Sequence, residues 1–250
     1  MTVGALIFAY NNEQIDYVAM AHWSAQNIKR HLNIPTTIIT GDIESTNQRY
    51  FEDVGTVTWH NLNRMNAYEL SPYDRTLVLD ADYVVASNQL EVLLSADQDF
   101  MCHRWAYDVT GLQTFDDLNY FGAHRFPMWW ATVMMFRRST RAKLIFDSML
   151  MIKNNWDHYR NLYANPRSTY RNDHALSIAL NIENGHTLET TDIPWSLASL
   201  TPAHKLTQLE QDRYRVDYVT ADQRSRWIEL TTDFHAMGKQ QLGDIVANNS

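Results

Sequence analysis

Two carboxylates stand directly after a short apolar run, and this arrangement constrains the fold more than any other feature of the chain. Leu77, Val78 and Leu79 form a run typical of a buried strand, and Asp80 and Asp82 follow it. An ionised carboxylate is costly to bury unless a cation meets it. Because carboxylate oxygens suit hard divalent ions, the pattern predicts a site for Mn2+ or Mg2+. The alternative is a solvated strand end at which one aspartate caps the next element.

Strand and helix patterns alternate through the first hundred residues. They predict strands at 3–9, 36–40, 56–59 and 76–79, a helix ending near His31, and a short helix at 63–70. Such alternation is typical of parallel strands joined by right-handed crossovers, with ligands beyond the carboxyl ends of the strands. Ala9, Tyr10 and Asn11 follow the first strand, and Gly41-Asp42 follow the second. We therefore expect these residues to share one edge of the sheet with the two acids.

The second half of the chain is less regular. The patterns predict helices at 88–94, 140–159 and 168–182 and strands at 99–105, 130–136, 214–220 and 227–231. Residues 108–128 show no clear period and are interpreted as a long loop. Residues 240–250 are interpreted as a polar tail or a short helix.

Composition excludes several classes of protein. The net charge of −8 argues against a broad electrostatic grip on nucleic acid. Cys102 is the single cysteine, so an intramolecular disulfide is impossible, and a reducing compartment such as the cytoplasm is the expected location. Residues 1–10 lack a basic region followed by a long apolar core, so no signal peptide is expected. No window is apolar for long enough to predict a membrane span.

Two separated motifs resemble those of a known family. Arg75 with Leu79-Asp80-Ala81-Asp82-Tyr83-Val84, followed much later by His235-Ala236-Met237-Gly238-Lys239, is similar to the GT-A nucleotide-sugar glycosyltransferases. The nearest likeness is to the glycogenin-like and lipopolysaccharide-galactosyltransferase-like retaining enzymes. The likeness spans residues 1 to 240 in its order of elements, and its specific part is these two motifs. Lys239 directly follows Gly238 here, whereas the family usually places it two residues further on, before Pro-Trp.

The resemblance implies a fold and a function for each part of the chain. It implies a single GT-A-like (Rossmann-like) α/β domain at 1–240, with a mixed, mainly parallel central sheet flanked by helices. Residues 1–100 would form the nucleotide-binding half, residues 101–240 the acceptor half with the metal-binding histidine segment, and residues 241–250 a polar tail.

The resemblance also implies roles for individual residues. Asp80, Asp82 and His235 would bind Mn2+ (or Mg2+), and Asp82 and Asp173 would be the catalytic acids, with Asp173 beside the sugar and the acceptor. The implied nucleotide-sugar contacts are Ala9, Tyr10, Asn11, Tyr17, Arg75, Asp80, Ala81, Gly238 and Lys239. A divalent ion between two phosphates stabilises the charge of a departing nucleoside diphosphate, and Lys239 would act on phosphate as a point charge.

Simpler alternatives stand beside several of these roles. Asn11 and Asn12 alone are also typical of a turn that caps a helix. Asn172 or Asp173 could be the N-cap of the apolar helical run that follows. The aromatic residues of the second half could form an acceptor platform or belong to the core; they are Trp105, Tyr107, Tyr120, Phe121, Trp129 and Trp130.

The residues and the resemblance together predict transfer of a sugar from a nucleoside diphosphate donor to an acceptor hydroxyl. The resemblance alone implies that the donor is UDP-linked and that the anomeric configuration is retained. Residues 108–128 and the segment around His235 are the candidates to close over the donor. A sugar-nucleotide pyrophosphorylase is one alternative, although such enzymes open with a glycine-rich basic loop that Ala9 to Asn12 lack. A non-catalytic nucleotide-sugar-binding module is another. The acceptor stays open among glycan, protein, lipid head group, small metabolite and hydroxymethylated DNA base.

Overall fold

The computed structural model describes residues 1–40, 48–49, 62–185, 192–201 and 204–249. The strands are β1 (Val3–Phe8), β2 (Thr36–Ile39), β3 (Gln48–Arg49), β4 (Arg75–Leu79), β5 (Tyr83–Val84), β6 (Phe100–His103), β7 (Ala106–Asp108), β8 (Tyr120–Phe121), β9 (Phe126–Pro127), β10 (Trp130–Arg137), β11 (Leu197–Leu200), β12 (Lys205–Glu210), β13 (Arg213–Val219), β14 (Ser225–Leu230) and β15 (Phe234–Ala236). The α-helices are α1 (Tyr17–Leu32), α2 (Ala67–Leu70), α3 (Phe115–Asn119), α4 (Thr140–Asn154), α5 (Trp156–Tyr163), α6 (Asn172–Glu183) and α7 (Lys239–Asn248). Short 3-10 helices cover Arg64–Asn66 and Gln89–Ser95.

The central sheet has the strand order β3-β2-β1-β4-β10-β6. Strands β1 to β4 pair in parallel, whereas β10 is antiparallel to both of its neighbours. All five residues of β4 are buried, which explains its continuous apolar run, since strands covered on both faces need no polar alternation. The expected mixed, mainly parallel sheet flanked by helices is confirmed.

Smaller sheets extend this core. Strands β5, β15, β11 and β7 form a four-stranded sheet in that order, β12 to β14 form an antiparallel meander, and β8 and β9 form a hairpin. The buried apolar residues of the central and four-stranded sheets belong to one cluster, so the described residues pack about one core, as the single-domain expectation requires. Within the described part of the chain, no helix has the length and hydropathy to cross a membrane.

The ends of α1 follow from local chemistry. The Asp16 side chain accepts a hydrogen bond from the Ala19 N–H and so caps the first turn. Asn33 ends the helix in the left-handed conformation, with a φ of 53°, and Pro35 follows shortly after. Tyr17, at the amino end of this helix, lines the same cleft as Phe8, at the carboxyl end of β1.

Several expected elements differ from those observed. The helix predicted at 140–159 is two helices, because α4 ends at Asn154 and the Asn155 side chain donates to the Met151 carbonyl at 2.8 Å. The helix predicted from residue 168 begins only at Asn172, because Ser168 closes a turn onto Asn165 and Arg171 is extended. The predicted helix at 88–94 is a 3-10 helix.

The stretch 108–128 is not an unstructured loop. It contains α3, whose first turn is capped by Thr114, and the β8–β9 hairpin. Residues 239–248 form α7, with Leu242, Ile245 and Val246 buried. The strand expected at 56–59 and the turn at Gly41-Asp42 lie outside the described residues.

Candidate functional site

Asp80 and Asp82 leave the central sheet in a tight turn. The Asp80 N–H still donates to the Thr132 carbonyl of β10 at 3.0 Å, and the Tyr83 N–H donates back to the Asp80 carbonyl at 3.1 Å. This turn separates β4 from β5 and keeps both carboxylates at the carboxyl edge of the sheet. Both residues are more than nine-tenths buried, with exposed fractions of 7% and 4%.

Strand pairing brings His235 to the two acids across more than 150 positions of sequence. β15 lies antiparallel to β5 with His235 opposite Tyr83, and the Ala236 N–H donates to the Asp82 carbonyl at 2.9 Å. His235 Nε2 is 3.5 Å from Asp82 Oδ1 and 3.9 Å from Asp80 Oδ2. The predicted convergence of the two motifs is therefore observed.

Two cationic side chains occupy the outer oxygens of the acids. Arg64, on the first 3-10 helix, forms a close ion pair with Asp80 Oδ1. Lys239 Nζ, at the start of α7, lies 3.4 Å from Asp82 Oδ2 and 5.7 Å from the centre of the Tyr17 ring. The other oxygen of each acid is the one that faces His235.

Charge and burial compete in this cluster. Burial alone would raise the pKa of Asp82, but the charges of His235, Lys239 and Arg64 outweigh it and hold that pKa below its usual value. Burial lowers the pKa of Arg64 despite the nearby carboxylates of Asp173 and Asp82. Burial opposes the charge on Lys239, yet Asp82 and Tyr17 raise the pKa of its ammonium. Asp82 is consequently ionised at neutral pH.

Asp173 joins the cluster from the first turn of α6. Its Oδ1 accepts from the Ala131 N–H of β10 at 2.9 Å, and its Oδ2 accepts from Arg171 at 2.8 Å. Burial would raise the pKa of Asp173, but Arg171, the Ala131 N–H and Arg64 lower it overall. The N-cap residue is Arg171, so the alternative in which Asn172 or Asp173 caps the helix is not what the structure shows.

These side chains share one cleft of about 450 Å3. The predicted site residues that line it are Tyr10, Asn11, Tyr17, Asp80, Ala81, Asp82, Asp173, His235 and Lys239. Asn11 also accepts from the Val18 N–H, and Asn12 from the Gln14 and Ile15 N–H groups, so the turn interpretation of these asparagines is correct as well. Ala9 is buried, does not line the cleft, and its N–H donates to the Ile39 carbonyl. Gly238 precedes α7, where its carbonyl accepts from the Leu242 N–H.

Arg75 is not brought to the cleft. It begins β4, so a strand rise of about 3.3 Å per residue separates it from Asp80 by roughly 16 Å. The Arg75 side chain is buried and donates to the Leu94 carbonyl at 2.8 Å. The arginine in contact with the acids is Arg64 instead.

Sequence reasoning missed two cations of the cleft. Arg64 lies 16 positions before Asp80 in a short helix, and no spacing rule connects them. Arg171 could have been found, because it stands two residues before Asp173, which the family resemblance implicated. Of the expected aromatic platform, Trp129 and Trp130 are core residues, whereas Trp105 and Tyr107 are exposed.

The possible ligand atoms of the cleft fit a divalent cation. The ligand atoms of Asp80, Asp82 and His235 all lie within 4.8 Å of one another. Two ligands of one ion at about 2.1 Å stand at most about 4.2 Å apart, and both distances from His235 Nε2 fall below that limit. Carboxylates with one imidazole form a mixed oxygen and nitrogen shell, which Mn2+ tolerates.

Comparison with known proteins finds likeness only at the level of structure. No protein-family model matches the chain, and no curated protein matches it. Among solved structures, the glycosyltransferase GlyE of Streptococcus pneumoniae TIGR4 in its apo form aligns at 14% identity and a TM-score of 0.44, over 73% of this chain and 43% of GlyE. The galactosyltransferase LgtC with donor and acceptor sugar analogs aligns at 13% and 0.45, over 71% of this chain and 70% of LgtC. The bifunctional glycosyltransferase WbbM aligns at 13% and 0.43, over 72% and 37%.

This chain thus spans less than half the length of GlyE and of WbbM. Likenesses this distant leave the function to be argued from the residues of the cleft themselves.

Proposed function

We propose that the protein is a GT-A-type glycosyltransferase that moves a sugar from a UDP-linked donor to an acceptor hydroxyl with the help of Mn2+ or Mg2+. The observation that supports it most is the convergence of Asp80, Asp82 and His235 in a buried cleft that also presents Lys239. Acids and imidazole suit a cation, and a cation beside a lysine suits a diphosphate. The two motifs that carry the family resemblance meet at this point.

Asp80 Oδ2, Asp82 Oδ1 and His235 Nε2 would hold the metal. When bound, the metal would neutralise charge on the two phosphates of the leaving nucleotide. Lys239 Nζ would donate to a phosphate oxygen. The amino end of α7 adds partial positive charge at the same place, since unpaired N–H groups of a first helical turn favour anions.

The rest of the cleft would position the sugar and the base. Asp173 is ionised and fixed by the Ala131 N–H and Arg171, so its carboxylate could accept hydroxyl donors of the donor sugar or the acceptor. Tyr10 and Tyr17 follow β1 and line the same cleft, where they could pack on the nucleobase and ribose. In this proposal residues 1–100 bind the nucleotide, and residues 101–240 supply Asp173, His235 and the acceptor side. Retention of configuration is proposed from the motif resemblance.

Thermal denaturation with nucleotides tests the donor and metal assignment together. A ligand that binds only the folded state stabilises it by about 2.7 kcal/mol at 100 times its Kd. We expect UDP or a UDP-sugar to raise Tm in the presence of Mn2+ but not after chelation, and Asp82→Asn to abolish the rise. The matched control is Asp157→Asn, whose side chain is 86% exposed on α5 and which should keep the full response.

Slow release of free UDP from the stabilising UDP-sugar distinguishes the alternatives. A transferase should hydrolyse its donor in the presence of Mn2+, with a wild-type rate that Asp157→Asn retains. A metal-dependent Tm rise without any UDP release would favour a non-catalytic binding module. Absence of a Tm response to every nucleoside diphosphate tested would refute the donor assignment.

A further inference from the structure

The charged side chains that line the cleft balance one another. Three of the described lining residues are acids and three are permanent cations. They are Asp80, Asp82, Asp173, Arg64, Arg171 and Lys239. His235 counts as neutral, because an imidazole binds a metal only in its deprotonated form. The described lining of the cleft therefore has no net charge before any ligand enters.

Each acid has one cation in ion-pair contact. The three pairs are Arg64 with Asp80, Lys239 with Asp82 at 3.4 Å, and Arg171 with Asp173 at 2.8 Å. The cations differ in exposure: the Arg64 side chain is 12% exposed, whereas those of Lys239 and Arg171 are 40% and 44% exposed. Lys239 and Arg171 can therefore be substituted without opening the core.

The acids keep their charge at neutral pH. All three are more than nine-tenths buried. Neighbouring cations nevertheless hold the pKa of Asp82 and that of Asp173 below their usual values. Because a buried charge without a counter-charge is costly, each acid needs a cation beside it at all times. In the ligand-free cleft that cation is a side chain.

A neutral cleft opposes each ligand taken singly. A divalent ion alone would add two positive charges beside Arg64 and Lys239, whose partner acids it would have to share. A nucleoside diphosphate alone would add at least two negative charges beside the carboxylates of Asp82 and Asp173. Either addition leaves uncompensated charge in a largely buried site. When both enter, their charges largely cancel, and phosphate oxygens complete the ligand shell of the ion.

We propose that the cleft takes up the divalent ion and the nucleoside diphosphate only as a pair, and that Lys239 and Arg171 enforce this pairing by balancing its acids. The inference rests on the proposed function, from which it takes the two ligands. It goes beyond that function in the behaviour of the metal alone. Since the coupling between two ligands is reciprocal, the nucleotide is required for the metal as much as the metal for the nucleotide.

The charge balance predicts that removal of a cation strengthens metal binding. Arg171→Met and Lys239→Met each leave one excess negative charge in the cleft. We expect each variant to bind Mn2+ alone about tenfold more tightly than the wild type, since one close charge shifts an ionic equilibrium by about that factor. Both variants should bind the Mn2+–UDP complex more weakly, because that complex carries net negative charge. A purely structural role for these side chains would not move the two affinities in opposite directions.

Electron paramagnetic resonance of free Mn2+ measures the metal affinity of the whole protein. Mn2+ is titrated first alone and then with saturating UDP, and the second affinity is corrected for Mn2+ held by free UDP. We expect UDP to raise the Mn2+ affinity of the wild type about 100-fold, within the usual range of couplings between two ligands. Calorimetry with the preformed Mn2+–UDP complex gives the second affinity of each variant.

Two controls separate charge from disturbance of the fold. The double variant Arg171→Met/Asp173→Asn restores neutrality, and its asparagine can still accept from the Ala131 N–H, so it should bind Mn2+ alone as weakly as the wild type. Arg125→Met breaks an exposed arginine–aspartate pair, with Asp116 at 2.7 Å, outside the lining of the cleft. It should leave both affinities unchanged.

Three results would overturn the proposal: the wild type binds Mn2+ alone as tightly as with UDP, neither single variant gains Mn2+ affinity, or the double variant keeps the gain of Arg171→Met. Lys239→Met decides the second point where Arg171→Met fails to fold. Each of these results leaves the proposed function standing as long as UDP still raises Tm in a metal-dependent way. If the wild type does not bind the Mn2+–UDP complex at all, the proposed function fails and the pairing of the two ligands fails with it.

Discussion

Arg64 is the residue on which the electrostatics of the cleft depend. Its guanidinium pairs with Asp80 and lies in the field of Asp82 and Asp173, so one buried cation serves three carboxylates. Removing one partner of a buried ion pair is far more costly than removing an exposed one, because it leaves an uncompensated charge. Arg64 therefore contributes to the stability of the fold as well as to the shape of the cleft.

Arg64→Met should lower the free energy of unfolding by about 3–5 kcal/mol in metal-free buffer. Saturating Mn2+ should restore part of this loss, because the ion would supply positive charge to the same acids. Urea denaturation with and without Mn2+ measures both effects. Arg75→Met is the control: Arg75 is buried at the other end of β4 and donates to the Leu94 carbonyl, so the stability lost on its substitution should be the same with and without metal. If Mn2+ leaves the stability loss of Arg64→Met unchanged, Arg64 and the metal do not neutralise the same carboxylates.

The sequence predicted the acids of the cleft and Lys239, but neither Arg64 nor Arg171. Asp80 and Asp82 could be predicted because a strand end with two acids is a local pattern. His235 could be predicted from its motif. Arg64 is set in place by packing of its 3-10 helix against α4, a contact between distant parts of the chain that produces no periodic pattern in the sequence. Arg75 is the opposite case: the resemblance implied a donor contact, but the extended strand between Arg75 and Asp80 separates the two residues by roughly 16 Å.

Among the secondary-structure elements, the length of a strand determined whether the sequence could predict it. β1, β4 and β10 are apolar runs in the core, and their existence and type were predicted correctly. β5, β7 and β15 have two or three residues each, too few for a period-2 pattern, and they form only because distant strands lie beside them. The four-stranded sheet that presents His235 was therefore not predicted from the sequence.

The β8–β9 hairpin depends on a single glycine. Gly122 has a φ of +71°, and a Cβ there would stand 2.2 Å from the Tyr163 carbonyl oxygen at the end of α5. Gly122→Ala should therefore add overpacking to backbone strain and separate the hairpin from α5, where Phe126 and Tyr163 now have ring centres 4.7 Å apart. We expect Gly122→Ala to lower the free energy of unfolding, measured by urea denaturation, by about 1–3 kcal/mol more than Gly111→Ala does.

Gly111→Ala is the matched substitution. Gly111 has nearly the same φ, +70°, and no atom within 4 Å of the added carbon, so it carries only the backbone cost of about 1 kcal/mol. Equal losses of stability in the two variants would show that the hairpin adjusts to the added carbon at no further cost in free energy. Its contact with α5 would then be unimportant for stability.

At the scale of the molecule, the cleft joins segments from both ends of the chain. Asp80 and Asp82 belong to the first hundred residues, whereas His235 and Lys239 belong to the last twenty. The described residues connect the two stretches through the pairing of β15 with β5 and through the Ala236 N–H, which donates to the Asp82 carbonyl. A ligand shared by these side chains would consequently stabilise two distant stretches at once.

Hydrogen exchange measured by mass spectrometry detects that coupling. Adding Mn2+ and UDP should slow exchange in peptides that cover 80–84 and in peptides that cover 233–239, by up to about 100-fold at 100 times the Kd, because opening of either stretch would release the ligand. Peptides from β13 and β14 should exchange as before and serve as the internal control. Asp82→Asn should remove the protection from both stretches together. Protection confined to 80–84 would mean that His235 does not bind the same ion as the two acids, and the C-terminal motif would then need another role.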